Sequence, residues 1–513
     1  MIRNAVRNVG TNWLAMGLSV VIALLMMPFV VRKLGSTGYG FWALLQSVIS
    51  YMFVLDFGLR SGLNRHLARL HANEEHAEAS RIASTGLYVY AVVGGAVVLS
   101  ALCLGFWFNT LFHVETFDRS TVFWSVVLVG VGVSLRFPGA VFDSILSGVQ
   151  RYDLTNSAQI AGVVVRSGLV LWTLESGFGV VGISAATLIG NVVTFVGQAA
   201  LARVVWPDLH IRFGSARLTT LRLLASHSVF AYVLLTATQM ITESGTVIVG
   251  TSLGTSAVAF YAIPASLIAY ATSVISGIST TISPAASSLE ARGQLAGVQE
   301  LCLKGTRFIL LTGLPILITY ALSGDAFIRL WIGPGYDPSY GVLALLSLGW
   351  SFNYVQAAAA CVVIGLSRHS IAALLVVVQA ILAVGLGIGL VRGFGILGVA
   401  GGAAAASIVM NTLFQRHALR VLDVPVWRFL REGVAPALMA CLPLSVALPM
   451  LMTSYPPTTL LGYFAEVALS VGATAVLSPW LALTRTEREM LSARARRLFG
   501  HASLVLRNAA GRP

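Results

Sequence analysis

Apolar residues in this chain form long, nearly continuous runs that are separated by short polar segments. A run of about 20 apolar residues is the length that an α-helix needs to cross ~30 Å of hydrocarbon. Lipid offers no partner for free backbone N–H and C=O groups, so each run is predicted to be helical. About fourteen crossings are predicted on this length criterion. They lie over residues 12–31, 40–59, 83–107, 121–142, 154–174, 180–202, 224–250, 257–283, 304–323, 340–363, 370–391, 395–415, 433–452 and 459–483.

The composition of the chain supports the same architecture. Hydrophobic residues make up 57% of the 513 positions and charged residues 10%, and the mean hydropathy is +0.83. A soluble domain carries roughly 25% charged residues, so most of this surface is expected to face lipid. The predicted fold class is an all-α polytopic membrane protein. The four cysteines lie in or beside apolar runs without metal-ligand spacing, and we expect no metal, no cofactor and no enzymatic site.

The positive charge is distributed unevenly between the two sides of the predicted helices. Of the 33 Lys and Arg residues, about 26 fall on the side of the N-terminus and about five on the other, which is the asymmetry that the positive-inside rule describes. Both termini are therefore predicted to be cytoplasmic. The basic tail is expected to meet the anionic headgroups of membrane lipids, and the net charge of +13 does not indicate nucleic acid as a partner.

The sequence contains an internal duplication. The stretch that begins at Leu34-Gly35 resembles the one at Leu253-Gly254, 219 positions later, with seven identities in eighteen positions, where shared composition predicts about two. Gly148-x-x-Arg151 and Gly365-x-x-Arg368 repeat at nearly the same offset. Six crossings therefore correspond to six others, which predicts two parallel lobes around a central cavity, a transporter architecture. The predicted units are a lobe over 1–203, a cytoplasmic linker over 204–221, a lobe over 222–420, two added crossings over 421–484 and a basic cytoplasmic tail over 485–513.

Two glycine-rich segments, Gly177-x-Gly-x-x-Gly182 and the one from Gly393 to Gly398, match the spacing of a dinucleotide-binding loop. That loop follows a β-strand and precedes an acidic residue by about twenty positions. Neither segment has this context, so both are interpreted as tight turns between closely packed helices.

Short motifs along the chain resemble those of one protein family. In the first half they are Asn12-Trp13, Pro28-Phe29, Leu34-Gly35, Tyr39-Gly40-Phe41-Trp42 and Leu55-Asp56-Phe57-Gly58-Leu59. In the second half they are Leu330-Trp331-Ile332-Gly333, Gly365-x-x-Arg368 and Gly395-Ile396-Leu397-Gly398-Val399-Ala400. Over residues 8–430 the chain resembles the O-antigen/polysaccharide flippases of the multidrug/oligosaccharidyl-lipid/polysaccharide exporter superfamily.

This resemblance implies a function as well as a fold. The implied cargo is an undecaprenyl-diphosphate-linked oligosaccharide, moved by alternating access from the inner to the outer leaflet of the bacterial cytoplasmic membrane. The implied role is in O-antigen or other surface polysaccharide biosynthesis, with a polysaccharide polymerase and a chain-length regulator as candidate partners. A multidrug/cation exporter and a peptidoglycan-precursor flippase of the same superfamily stay open as alternatives. A membrane enzyme is disfavoured, because the outer loops are short and carry few carboxylates.

Ionisable groups inside the crossings are the main candidate functional residues. A charge at mid-bilayer costs at least ~2.5–3.5 kcal/mol, so it normally faces a cavity or a partner. Arginine offers a planar fork that suits a diphosphate, and a buried carboxylate can carry a coupling proton. The candidate substrate-binding residues are Arg166, Arg136, Gln159, Gln239, Asn12, Gln46, Asn353, Gln356 and Arg60. The candidate ion-coupling residues are Glu243, Asp56 and Asp143.

Structural roles for the same charges are the alternative. Asp56 and Arg60 are four residues apart, which favours an ion pair at the end of a helix. Arg136 and Asp143 are seven apart and share a predicted helix face. A salt bridge between Arg166 and Glu243 that locks two helices is the alternative to a role in substrate binding.

Overall fold

The computed structural model describes residues 2–112, 114, 116–211, 229–366 and 370–482, and the regular structure in these ranges is helical. The all-α prediction is confirmed. In chain order the helices are α1 (Ile2–Ser50), α2 (Leu59–Ala72), α3 (His76–Phe112), α4 (Arg119–Ser134), α5 (Arg136–Gly148), α6 (Tyr152–Glu175), α7 (Gly179–Val205), α8 (Val229–Leu253), α9 (Thr255–Ala291), α10 (Leu295–Trp331), α11 (Pro338–Gly365), α12 (Ser370–Val421), α13 (Val426–Phe429), α14 (Ala435–Ser454) and α15 (Leu460–Ala482). A 3₁₀ helix, Tyr51–Asp56, joins α1 to α2, and a π-helical turn, Leu430–Val434, joins α13 to α14.

Eleven helical segments within the described ranges are long and apolar enough to cross a membrane. Two of these segments are double, because α1 breaks at Gly35 and α12 breaks at Gly395, and each run covers two predicted crossings. Helix α8, with 25 residues, is also long enough to cross but is not one of the eleven. The predicted number of crossings therefore stays a prediction.

The internal duplication is visible in the backbone conformation. Gly35 breaks α1 with φ 70° and ψ 178°, and Gly254 precedes α9 with φ 84° and ψ 173°. A positive φ combined with a ψ near 180° is adopted without strain essentially only by glycine. This requirement explains why both copies of the repeat carry glycine at this position, where the chain passes from one helix to the next.

The two glycine-rich segments are turns between helices, as interpreted from the sequence. Gly177 (φ 81°) and Gly179 (φ 56°) reverse the chain between α6 and α7, and a Cβ at Gly182 would lie 2.7 Å from the Thr173 side chain. In the second copy, Gly395 (φ 59°) breaks α12. Both segments are flanked by helices on either side, which excludes a dinucleotide-binding loop.

The helices pack in two groups that α1 joins. Helices α3 to α7 pack against one another, and so do helices α8 to α12. Helix α1 contacts α6 in the first group and α9 in the second, while α14 and α15 pack on each other and on α10. Below, the first half is the chain up to Val205 and the second half is the chain from Val229. The lobe boundaries stay a prediction, because the structure does not describe every segment between the predicted units. Outside the described residues lie Arg368, the linker from residue 212 onward and the tail 485–513.

Helix α2 is a short amphipathic helix that the pattern of crossings does not predict. Its buried face consists of Leu59, Leu63, Leu67 and Leu70, while Arg65 and Arg69 are exposed. Leucines at a spacing of three and four residues are typical of a helix that packs one face on the rest of the protein. Its first turn contributes Arg60 to a charged cluster that is described below.

Candidate functional site

A cavity of about 680 Å³ lies between the two halves of the chain. Its wall is built by α1, α6 and α7 from the first half and by α8, α9, α11 and α12 from the second. Polar and aromatic side chains on this wall include Gln46, Ser47, Arg166, Glu243, Tyr270 and Trp350. Of the residues predicted from the sequence, the structure brings Gln46, Arg166 and Glu243 together here.

The close approach of α6 to α7 positions Arg166. A Cβ at Gly162 would lie 2.7 Å from the carbonyl oxygen of Gly190, and a Cβ at Gly190 would lie 2.7 Å from Cβ of Arg166. Because both glycines lack side chains, the two helices touch and the stem of Arg166 runs over Gly190. The arginine side chain is exposed to the cavity, and Tyr270 of α9 lies within electrostatic reach of it from the second half.

Glu243 lies on the part of the wall that the second half contributes. Its carboxylate is beside the Ser47 hydroxyl of α1, so the two halves meet at this point. Gly245 makes room for the Tyr261 hydroxyl, with which any larger side chain would collide. Among the described residues no ion pair joins Glu243 to Arg166. The two charges therefore face one space from opposite walls instead of locking their helices together.

Aromatic rings cover much of the remaining wall. Tyr39 and Trp42 come from α1, Tyr261 and Tyr270 from α9, and Trp350 from α11. Tyrosine and tryptophan rings present an apolar face and a polar edge, a combination that fits the C–H faces and the hydroxyl groups of a sugar ring. Together with the arginine, these rings make the cavity suitable for an anionic ligand that also carries apolar surface.

A second group of charges lies where α2, α3 and α5 meet. Arg60 donates a hydrogen bond to the Asp143 carboxylate, and the Tyr90 hydroxyl donates one to the Asp56 carboxylate. Arg60 is therefore hydrogen-bonded to Asp143 and not to Asp56, although Asp56 stays within electrostatic reach of it. The helix that would set their four-residue spacing is interrupted, because the backbone at Phe57 and at the following glycine adopts positive φ. The Asp143 side chain is 5% exposed, and a carboxylate buried to this extent requires a charged or hydrogen-bonded partner.

Arg136 stacks on an aromatic ring, although it shares a helix face with Asp143. Its guanidinium carbon lies 4.6 Å from the centroid of the Phe53 ring, which is a cation–π geometry. Arg60 and Arg166 are within electrostatic reach of it. The Asp143 carboxylate accepts its hydrogen bond from Arg60. The guanidinium group of Arg136 therefore lies within reach of the other two arginines while it contacts a ring. The first half thus carries a series of three cations.

The other predicted site residues are not among those that line this cavity. They are Asn12, Gln159, Gln239, Asn353 and Gln356, together with Asp56, Arg60, Arg136 and Asp143. Gln356 is 8% exposed and lies inside the second half. Helical periodicity places these polar residues on a face of their helix, but it does not say which neighbouring helix covers that face.

Several residues of the wall were not predicted as site residues. They are Ser47, Trp42, Tyr270 and Trp350. Neutral hydroxyl and ring groups cost far less than a charge inside a membrane, so they do not stand out in the sequence as an intramembrane arginine does. The available signal was the motif Tyr39-Gly40-Phe41-Trp42. Within the described ranges no three His, Cys, Asp or Glu side chains group together as metal ligands would.

Comparison with known proteins identifies relatives of this chain. The profile of a family described as "Polysaccharide biosynthesis protein" matches residues 5–290. A putative O-antigen transporter of Shigella flexneri is 22% identical over 403 residues, which are 77% of this chain and 93% of that protein. The uncharacterized membrane protein EpsK of Bacillus subtilis is 24% identical over 333 residues, which are 64% of this chain and 66% of that protein.

Solved structures share the fold of this chain. A multidrug resistance MATE family transporter of the MOP superfamily, in an inward-facing conformation, aligns with a TM-score of 0.70 at 15% identity, over 79% of this chain and 94% of its own. The lipid II flippase MurJ, in an inward closed conformation, aligns with a TM-score of 0.65 at 12% identity, over 93% of this chain and 99% of its own. At these identities the likeness concerns the fold.

Proposed function

Because the chain belongs to the polysaccharide biosynthesis protein family, we propose that it moves an undecaprenyl-diphosphate-linked oligosaccharide from the inner to the outer leaflet of the bacterial cytoplasmic membrane. The family and the shared fold make the chain a membrane transporter or flippase of the O-antigen type. The proposal adds the cargo, the direction of movement and a cavity that opens to the two leaflets in turn. The expected product is a lipid-linked sugar unit available for surface polysaccharide assembly.

The observation that carries the proposal is the arginine in the cavity. Arg166 presents a planar guanidinium group to the space between the halves. The oxygens of a diphosphate accept two parallel N–H groups from such a fork, and charge-assisted bonds of this kind are roughly twice as strong as neutral ones. With the diphosphate at Arg166, the first sugars would lie along the rings of Trp42 and Trp350. The polyprenyl tail would remain in lipid.

Glu243 has a second role in the proposed cycle. It faces the cavity from the half opposite Arg166. A proton on this carboxylate removes a negative charge from the wall and so eases the binding of an anionic headgroup. Loss of the proton restores the charge and repels the headgroup, which favours release. Proton movement is thereby coupled to the change of cargo occupancy in this proposal.

Two other cargoes are the alternatives within the same fold. A multidrug/cation exporter would bind a cationic ligand at Glu243, and Arg166 would then oppose binding. A peptidoglycan-precursor flippase would carry the same lipid and diphosphate, so the cavity chemistry suits it equally. The family match and the similarity to a putative O-antigen transporter favour the surface polysaccharide cargo.

Lipid extracts from a deletion strain test the cargo. Without this chain, an undecaprenyl-diphosphate-linked oligosaccharide is expected to accumulate in the membrane, where mass spectrometry identifies its glycan. Re-expression of the wild-type chain should clear it, and the Arg166→Ala variant should not. Accumulation of the peptidoglycan precursor would assign the cargo of the alternative flippase. Sensitivity to cationic drugs without any lipid-linked sugar would assign the exporter function.

A further inference from the structure

The indole of Trp331 connects the two halves at the end of the bundle where Gly35 and Gly254 lie. Trp331 is the last residue of α10 and is 4% exposed. Its Nε1 donates a hydrogen bond to the carbonyl oxygen of Leu24 in α1, with an N···O distance of 3.0 Å. Since α1 belongs to the first half and α10 to the second, this bond bridges the halves.

The Leu24 carbonyl is available because of Pro28. In an α-helix the carbonyl of residue 24 accepts from the backbone N–H of residue 28. Pro28 lies inside α1 and has no N–H. A backbone carbonyl without a donor is costly in a membrane, where water does not replace the missing bond. The Trp331 indole therefore supplies from the second half a donor that α1 cannot supply itself.

Two further contacts bring the halves together at this end. The guanidinium group of Arg32 donates to the carbonyl oxygen of Trp331 over 3.4 Å. Gly40 lies so close to the carbonyl oxygen of Thr255 that a side chain at position 40 would collide with it. The Trp331 bond is thus part of a region where the two halves are in contact at this end of the bundle.

Aromatic side chains of α10 and α15 pack around the ring of Trp331. It stacks on Phe327 with ring centroids 5.0 Å apart and an angle of 15° between the planes. Phe327 in turn packs on Tyr463 of α15, with centroids 5.4 Å apart. A buried indole fixed in this way makes its hydrogen bond without losing further side-chain freedom.

We propose that Trp331 is a positioning residue of the transport cycle. Its indole N–H and the Leu24 carbonyl that Pro28 leaves free form a latch that holds this end of the cavity closed. Opening at this end requires the bond to break, and closure restores it. The inference rests on the proposed function only in that the cavity opens at its two ends in turn.

Distances between spin labels test the latch directly. Labels on Ser120→Cys and Arg392→Cys, with Cys103 and Cys361 replaced by alanine, report the separation of the halves at this end. Trp331→Phe keeps the ring and removes the donor, and we expect the ratio of long to short distances to rise about fivefold, the usual weight of one hydrogen bond.

The effect of Trp331→Phe is then measured again in a protein that carries Pro28→Ala. Alanine restores the backbone N–H that Leu24 lacks, so adding Trp331→Phe there should change the ratio by less than about twofold. Trp206→Phe is the matched control. It removes an indole bond of the same length, 3.0 Å to Nδ1 of His76, within the first half, and should leave the ratio unchanged.

Three results would overturn the latch. Equal shifts of Trp331→Phe in the two backgrounds would assign the effect to ring packing. A wild-type distance distribution in Trp331→Phe would show that the hydrogen bond does not stabilise the closed conformation at this end. A single short distance in every protein, with and without lipid-linked sugar, would overturn alternating access and the latch with it. That last result is distinct from the first two, in which the wild-type protein still shows both distances.

Discussion

The two halves of the chain share a backbone plan and differ in charge. The first half places three arginines in or beside its crossings, Arg60, Arg136 and Arg166. The second half carries uncharged residues at the positions that the repeat offsets of 217 and 219 make equivalent, Ser279, Asn353 and Ala383. The backbone breaks at Gly35 and Gly254 nevertheless have nearly the same φ and ψ. The repeat therefore preserved the geometry of the helices while their polar chemistry diverged.

For the acidic residue of the cavity, the charge lies in the second half and the uncharged equivalent in the first. Glu243 in the second half is equivalent, at an offset of 219 residues, to Leu24 in the first. The cavity between the two halves accordingly has a cationic wall and an acidic wall. In the proposed transport cycle, the similar backbones would let the halves rock against each other, and the different side chains would favour one orientation of a charged cargo.

The interiors of the halves differ as well. In the first half a Cβ at Gly139 would lie 3.5 Å from the side-chain oxygen of Gln198. The equivalent residues in the second half are Gln356 and Gln415, which are 8% and 7% exposed. Both have buried amide atoms without a hydrogen-bond partner among the described residues. Gln356, which the sequence suggested as a substrate contact, thus occupies a space that the first half leaves to glycine.

Removing Arg166, the cation that the first half contributes to the cavity wall, is expected to have the largest effect on this comparison. Arg166→Ala should reduce export to background while membrane abundance stays near that of the wild type, because an arginine exposed to a cavity contributes little to packing. Arg166→Lys should restore export only in part, since lysine keeps the charge and loses the bidentate geometry. Surface polysaccharide and immunoblots of membranes measure the two quantities.

The double variant Arg166→Ala with Glu243→Ala separates binding from locking. If the arginine served only to neutralise Glu243, removing both would leave no unpaired charge and export would return. We expect the double variant to stay inactive. Restored export would contradict the role of Arg166 in binding the cargo.

A methyl group at the contact between the halves should have the next largest effect. In Gly40→Ala the new Cβ collides with the Thr255 carbonyl oxygen, and overpacking of this kind costs about 1–3 kcal/mol, which corresponds to a loss of the closed state by roughly 5- to 150-fold. Gly17→Ala in the same helix is the control, because a Cβ there meets nothing within 4 Å. Export and spin-label distances in the two variants check the prediction, and equal behaviour would contradict it.

Breaking the charge pair inside the first half should have a moderate effect on stability. Arg60→Ala leaves the buried Asp143 carboxylate without its partner and is expected to lower the free energy of unfolding by about 1–2 kcal/mol. The loss is below that of a fully buried pair, because the Arg60 side chain is 50% exposed. Adding Asp143→Asn should recover part of it. Thermal unfolding in detergent measures these changes, and strictly additive losses would argue against the pair.

Reporter fusions perturb the protein least and test whether the halves have the same orientation. Fusions after Arg203 and after Pro513 should report the cytoplasm, and fusions at Ser252 and Thr453 should report the outer side, because arginine asymmetry acts locally at each loop. A tail on the outer side would change the number of crossings by one.

Much of the fold was predictable because lipid imposes a simple rule on the chain. Long apolar runs have to be helical, and the glycine pairs of the repeat mark where one helix ends and the next begins. Helix α2 is not among the predicted crossings because it is short and only one of its faces is apolar. Neither length nor mean hydropathy identifies a helix of that kind.

The site was predictable only in part, for a different physical reason. Arg166 and Glu243 stand out because charges inside a crossing are costly. Their neighbours on the wall depend on how several helices pack, and no local pattern encodes this. Arg60 illustrates the limit, since its nearest acidic neighbour in sequence is Asp56 while its partner is Asp143, 83 residues away. A break of two residues in the backbone was enough to change the pairing.

The bond between Trp331 and Leu24 joins residues 307 positions apart, and this separation has a consequence for biogenesis. At ~5–20 residues per second, a ribosome makes Trp331 roughly 15–60 s after Leu24. During that interval the inserted first helix has a backbone acceptor whose donor has not yet been synthesised. A nascent chain that stalls before position 331 therefore leaves an unpaired backbone acceptor in the bilayer, where water does not replace the missing bond.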